Sequence, residues 1–356
     1  MYTIDHLPGR TIQFDGREHL FFSGTAYLGI AQNPAFRALL AESMERYGTV
    51  FGSSRNGNLR LGIYEEAEEK LARFAGLETA LTMSSGMMAG QVVVQYLRAE
   101  GYGFLYAPGA HPAIWQDART QLPRLSFGEW TAQVPRLVEA AGEHLVIALN
   151  SLDAVRSEAY PFDWVAHLPA DRQITLLVDD SHGLGVIGPD GSGIAALVPK
   201  RENVRLLITA SLAKALGLPG GVVLGDSETL AAIRHTAFFG ACSPISPAYL
   251  AAFVRAEDLY RNAYGRLNEN IRRAESLLDT TGLFAHIPGY PVFYTPHDGL
   301  YPSLLDDDIL IYQFAYPTPA DKPNTRLVIS ALHTPDDLGR LGTAVGRFAQ
   351  TVSQSR

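Results

Sequence analysis

Through the middle of the chain, uninterrupted apolar runs alternate with helical or loop stretches. The runs fall at Phe104–Tyr106, Leu145–Leu149, Ile174–Val178, Leu206–Ile208 and Val222–Leu224. A strand that is apolar at every position, rather than at every second one, has both faces covered. The alternation of such strands with helical stretches predicts an α/β fold: a mostly parallel central sheet with helices on both faces. Ahead of it, Thr11–Phe14 and Leu20–Phe22 read as short strands around the turn Asp15-Gly16. Pro34 opens a helix to about Tyr47, and Ile63–Ala75 has helical spacing and stops at Gly76. Between these helices, Gly48–Gly62 is rich in Gly, Ser and Asn and reads as a loop. Leu81–Met83 ends a strand, and Ser84-Ser85-Gly86 leads into a helix from near Met87 to about Arg98. After Pro247 the pattern changes to a long helical stretch, Ala248–Leu278. Short strands at Val292–Tyr294, Leu310–Tyr312 and Leu327–Ile329 and a helix from about Pro335 follow it. The expected organisation is an N-terminal extended segment (1–33), a large domain (34–246) and a smaller α+β C-terminal domain (247–356). The N-terminal strands are candidates to pack with the small domain.

The chemistry-bearing residues gather where the predicted strands end. His111 follows one strand, Asn150 and Ser151 the next, Asp179 and His182 the third, and Ser211 and Lys214 the fourth. In doubly wound sheets ligands bind beyond the carboxyl ends of the strands. Lys214 lies among small residues in Leu206–Gly221, a buried strand running into a tight glycine loop. A lysine held in that setting suits Schiff-base chemistry. The turn Ser84-Ser85-Gly86 offers backbone N–H groups and a helix dipole to a phosphate. A lysine, an aspartate, two histidines and two serines around a phosphate turn fit pyridoxal 5'-phosphate (PLP). That cofactor needs an amine to attach it, an acid beside its ring nitrogen and a flat group over its ring.

The remaining composition narrows partners rather than chemistry. The formal net charge is -8 and there is no basic block, which argues against nucleic acid. The single cysteine, Cys242, excludes an internal disulfide and a cysteine-rich zinc site, and no metal is expected. The N-terminal MYTIDHLPGR lacks the apolar core of a signal peptide, and no apolar run is long enough to span a bilayer. A cytoplasmic protein that does not engage membranes is the resulting expectation.

At Val178–Gly193, VDDSHGLGVIGPDGSG, the chain resembles the α-oxoamine synthase family of fold-type-I PLP enzymes. Its nearest branches are the 8-amino-7-oxononanoate synthases and 2-amino-3-ketobutyrate CoA ligases. The resemblance runs from about Tyr27 to Phe348 and takes in AYLGIAQNP, RYGTVFGSSR, SSGMMAG, SLAKALG, ACSPISP and TRLVISALHTPDD. It implies a homodimeric acyltransferase that condenses an amino acid with an acyl-CoA to a 2-amino ketone. It further implies that Lys214 attaches PLP and moves the Cα proton, that Asp179 rather than Asp180 pairs with the ring nitrogen, and that His111 stacks on the ring. His182 and Ser151 would approach the phenolic oxygen. Ser85, Gly86, Met87 and Ser211 would hold the phosphate, Ser243 would reach the neighbouring subunit's phosphate, and Arg326 would clamp the substrate carboxylate. Leu59-Arg60-Leu61 stands where the family usually has Gly-Thr-His, Ala107 where it often has Asp, and Met87 in place of an aromatic residue. Another PLP reaction on the same fold, an aminotransferase or aldolase-type lyase, and a non-catalytic PLP-fold binding protein are the alternatives.

Overall fold

The computed structural model describes residues 2–315 and 322–354. In chain order the elements are β1 (Thr11–Phe14), β2 (Arg17–Phe22), α1 (Pro34–Tyr47), α2 (Ile63–Ala75), β3 (Thr79–Met83), α3 (Gly86–Ala99) and β4 (Gly103–Tyr106). Then come α4 (Phe127–Thr131), α5 (Val134–Ala140), β5 (His144–Asn150), the short pair β6 (Leu152–Asp153) and β7 (Glu158–Ala159), β8 (Gln173–Asp179), β9 (Val204–Ser211) and β10 (Gly221–Gly225). The chain continues with α6 (Ser227–Arg234), α7 (Ala237–Ala241), α8 (Pro247–Arg255), α9 (Glu257–Leu278), β11 (Ala285–His286), β12 (Val292–Thr295), α10 (Leu300–Asp306), β13 (Ile309–Ala315), β14 (Pro323–Val328) and α11 (Pro335–Gln354). None of the described helices is long and apolar enough to cross a membrane.

Two compact units result: Pro34–Leu152 with Tyr160–Glu257, and Met1–Asn33 with Asp153–Ala159 and Asp258–Arg356. The division therefore lies at Asp258 rather than at 247, because the long helical pattern is broken. Helix α8 ends at Arg255 and α9 starts at Glu257, and α8 packs on α1 and α2 of the large unit. Its apolar residues Leu250, Ala251, Ala252 and Phe253 are buried there.

In the large unit a six-stranded sheet has the order β3-β10-β9-β8-β5-β4. The neighbours β4/β5, β5/β8 and β8/β9 are parallel, and β10 runs antiparallel to both β9 and β3. The reversal follows from the short connection Leu212–Gly220, since a parallel return needs a crossover of a dozen residues or more. The loop that carries Lys214 is thus a strand-to-strand turn. Central strands are buried on both faces: Leu145–Leu149 and Ile174–Asp179 are buried throughout. On one face Val146, Ala148, Leu177, Leu207 and Val223 pack with Val93, Val94 and Leu97 of α3.

The loop after α1 is anchored by a buried ion pair. Arg55 engages both carboxylate oxygens of Glu68, and its guanidinium lies 4.4 Å from the Tyr64 ring centre. Glu68 also accepts from the Thr82 N–H (2.6 Å) and hydroxyl (2.8 Å) at the end of β3. Removing one partner of a buried pair leaves an uncompensated charge, so Arg55→Ala should lower stability by about 3–5 kcal/mol, read from urea unfolding.

The smaller unit has its own six-stranded sheet, β1-β2-β13-β14-β12-β11, antiparallel except where β2 meets β13. The N-terminal strands belong to this sheet. Helix α11 buries Leu338, Leu341, Ala344 and Val345 at helical spacing.

Candidate functional site

Five strands of the large unit's sheet share one direction, so their carboxyl ends form a single edge, with the start of β10 among them. Along it stand Ser84–Gly86 after β3, the loop of Lys214 between β9 and β10, Asp179 closing β8, Asn150 closing β5, and His111 beyond β4.

Lys214 is half-buried, and its Nζ lies 2.8 Å from His182 Nε2. With Lys214 as an ammonium, which only donates, Nε2 is the acceptor. The loop is closed by backbone bonds that do not involve the lysine side chain. Leu212 N–H donates to Gly220 O (3.0 Å), Leu218 N–H to Leu212 O (2.9 Å) and Gly217 N–H to Lys214 O (3.2 Å). Gly217 takes φ 66°, the left-handed region that favours glycine.

Asp179 is buried; its Oδ1 accepts from Ser181 N–H (3.0 Å) and its Oδ2 lies 3.4 Å from His111 Nδ1. That Nδ1 accepts the Ala113 N–H (3.2 Å), so it carries no proton and the contact with Asp179 is not an ion pair. Burial pushes the His111 pKa down, Asp179 opposes that shift and Lys214 adds to it. A neutral, flat imidazole is therefore presented beside the Asp179 carboxyl. Asn150 fixes the backbone that carries it: its Oδ1 accepts the His111 main-chain N–H (3.0 Å) and its Nδ2 donates to Gly109 O (2.8 Å).

The turn Ser84-Ser85-Gly86 leads into α3. Ser85 caps α3, its Oγ accepting from Met88 N–H at 3.1 Å. The N–H groups of Gly86 and Met87, at the first two helical positions, have no carbonyl within the helix to bond. A Cβ on Gly86 would lie 2.7 Å from Ser211 Cβ, so only glycine lets the turn approach the end of β9 this closely. Ser211 is held in turn by Ser181, whose Oγ accepts the Ser211 N–H at 2.8 Å. The sequence pattern did not single out Ser181; its place between Asp179 and His182 is the signal that could have found it.

Three further residues have these settings. Ser151 is buried, its N–H bonded to Asp179 O (3.0 Å) and its hydroxyl without a hydrogen-bond partner among the described residues. Ser243 is exposed, its carbonyl accepting from Cys242 Sγ (3.4 Å). Arg326 belongs to the smaller unit, in β14. It is buried, donates to Ala154 O, lies 4.1 Å from the Tyr312 ring centre and leaves its Nε without a hydrogen-bond partner. Tyr27, in that same unit, is also fully buried and shares a 3.3 Å hydroxyl contact with Tyr290.

The donor set fits PLP: an amine, a buried carboxylate, a neutral imidazole and a glycine cradle at a helix N-terminus share one sheet edge. Comparison with known proteins agrees. The family model for aminotransferase class I and II matches residues 22–345. The 8-amino-7-oxononanoate synthase of Hahella chejuensis is 28% identical over 95% of this chain and 89% of its own length. A solved SPT with PLP superposes with a TM-score of 0.82 at 19% identity, covering 99% of this chain and 94% of that one. The 8-amino-7-oxononanoate synthase of Francisella tularensis superposes with a TM-score of 0.72 at 18% identity, covering 95% and 98%.

Proposed function

The chain belongs to the aminotransferase class I and II family, and from that premise we propose that it is a PLP-dependent acyltransferase of the α-oxoamine synthase type. It would condense an amino acid with an acyl-CoA thioester to a 2-amino ketone, a reading supported by its likeness to proteins named 8-amino-7-oxononanoate synthase. The observation that carries the reading is Lys214 in contact with His182 on the edge that also presents Asp179 and His111. Bound there, PLP supplies an aldehyde to the amine and a ring that accepts electrons from the substrate Cα.

The chain's own residues do the rest. His182 Nε2, already accepting from Lys214 Nζ, is placed to take its proton and leave a nucleophilic amine. Lys214, as a free amine, would be the base that removes the substrate's Cα proton. Asp179 would pair with the ring nitrogen, and His111 would cover the ring. The Gly86 and Met87 N–H groups with the Ser211 hydroxyl hold the phosphate, Ser85 fixing the turn. Arg326, with a guanidinium nitrogen to spare, suits the substrate carboxylate.

The reading includes a homodimer in a cytoplasmic setting. Val50, Leu59, Met87 and Phe238 are large apolar residues left exposed on the single chain, and a second copy would cover such a surface. Ser243, exposed beside Cys242, would there reach the other copy's phosphate.

The test is thiol release from acyl-CoA across a panel of amino acids. Release that requires one particular amino acid, in step with 2-amino ketone formation, is the expected result. Oxo-acid formation without thiol release would replace acyl transfer by transamination.

A further inference from the structure

The mechanism above leaves one carboxyl of the site unused. Asp180 follows Asp179 and is almost completely buried. Its N–H donates to Thr209 O (2.8 Å), and its carbonyl accepts from Gly183 (3.0 Å) and Leu184 (2.9 Å), closing the turn that contains His182. Its side chain crosses the loop: Oδ2 accepts the Ile194 N–H at 2.9 Å. Cβ atoms on Gly183 and Gly193 would overlap the two carboxyl oxygens, so both glycines of the Gly-rich run leave room for this one side chain. Among the described residues, its Oδ1 and the Ser151 Oγ that bears on this carboxyl are both buried without a hydrogen-bond partner.

Among the described residues, no cation is paired with this carboxyl. The elements packed around it bring Ser151 from the end of β5, Thr209 from β9, and Gly183, Gly193 and Ile194 from its own loop, none of them titratable. The ionisable neighbour acting on it is Asp179, of like sign; Lys214 and His182 are engaged with each other, and His111 faces Asp179. We propose that Asp180 is a positioning residue that, buried with no cation against it, keeps its proton up to the edge of the neutral range. Protonated, it can offer its proton to the unpartnered Ser151 Oγ while Oδ2 accepts the Ile194 N–H and its backbone carbonyl pins the His182 turn, so that below neutral pH Asp179 is the acid left to meet the ring nitrogen. Burial, reinforced by Asp179, raises its pKa to about 7 against the pull of Ser151 and the Ile194 N–H. This division of roles rests on the PLP reading, since it is the ring nitrogen that needs one charged acid and not two. Two adjacent carboxyls driven apart by their surroundings are a recurrent way to fix such roles.

The sign of the pH effect follows. A carboxyl whose folded pKa lies above its unfolded value near 3.8 stabilises the fold below that value and loses the contribution as pH rises through about 7. Asp180→Asn keeps the neutral shape, with its amide oxygen toward Ile194 and its NH2 toward Ser151. Thermal midpoints of the cofactor-free full chain should show the variant gaining on the wild type between about pH 5 and 8, by roughly 5 °C at the upper end. In the PLP-loaded protein, the pH midpoint of the Lys214-bound absorption should stay within about 0.3 unit of wild type in Asp180→Asn. Asp180→Ala should lose about tenfold in turnover, with Asp180→Asn restoring it. Equal pH dependence of melting in wild type and Asp180→Asn would overturn the proposal, as would a midpoint shift as large as that of Asp179→Asn. If Asp180→Ala does not fold, both decisive comparisons remain, since they involve only Asp180→Asn. Were no PLP absorption seen in the wild type, the cofactor reading would fail while the cofactor-free melting series still decided the state of Asp180.

Discussion

Lys214→Ala should bind PLP without covalent attachment and lose turnover by roughly 10³- to 10⁴-fold, the upper range for removing a group that acts as both nucleophile and base. The loss should be chemical rather than structural. The loop Leu212–Gly220 is closed by backbone bonds, and no bond of that closure uses the lysine side chain. Stability should therefore change by no more than about 0.5 kcal/mol, as for a partly exposed substitution outside the core. Borohydride reduction followed by intact mass and peptide mapping separates the outcomes. Wild type should gain one cofactor mass on the peptide containing Lys214, and the variant none. An adduct of equal yield on Lys70, Lys200 or Lys322 would remove the assignment at its root. Exogenous small amines should partly restore activity to the variant, because His182 is still in place to accept the proton that Lys214 Nζ now shares with it.

Much of this architecture was written in local pattern. Residues buried on both faces of a strand must be apolar at every position, which is why Leu145–Leu149 and Ile174–Val178 read correctly as central parallel strands. Once the strands were placed, their shared direction brought His111, Asp179, His182, Ser211 and Lys214 to one edge. What was not readable depends on contacts between distant residues. Ala256, where α8 gives way to α9, is not a helix breaker, and only the packing of α8 on α1 and α2 divides the chain there. The antiparallel course of β10 is set by the length of the connection before it, not by any residue within it. Ser151 carries a serine's usual signals for ligand contact, and nothing in them shows that its hydroxyl is buried beside Asp180. Asp180 itself looked like the spare half of an Asp-Asp pair, and its role depends on Gly183 and Gly193 meeting around it in space.

Asp179→Asn isolates the electrostatic half of the site. Asp179 ends β8 with its Oδ1 accepting the Ser181 N–H, a bond the asparagine oxygen can keep, so the turn toward His182 survives the change. The other oxygen, beside His111, becomes a neutral NH2 group. An amide donor cannot keep a facing ring nitrogen protonated, and the loss falls on the step in which negative charge develops at the substrate Cα. Removal of one preorganised electrostatic partner of this kind lowers turnover by about 10²- to 10³-fold. The effect should appear in kcat rather than in KM, because the substrate amine and carboxylate are held by other groups. Cofactor attachment should persist, since Lys214 and the Gly86 cradle are untouched, while the pH midpoint of the bound cofactor's absorption moves. Exchange of the substrate Cα proton with deuterated solvent, followed by NMR without acyl-CoA, measures the affected step directly. Exchange slowed as much as turnover is the expected outcome. Exchange at the wild-type rate would mean that the charge opposite the ring nitrogen comes from elsewhere, and Asp180, buried against Ser151 and Ile194, would be the next acid to examine.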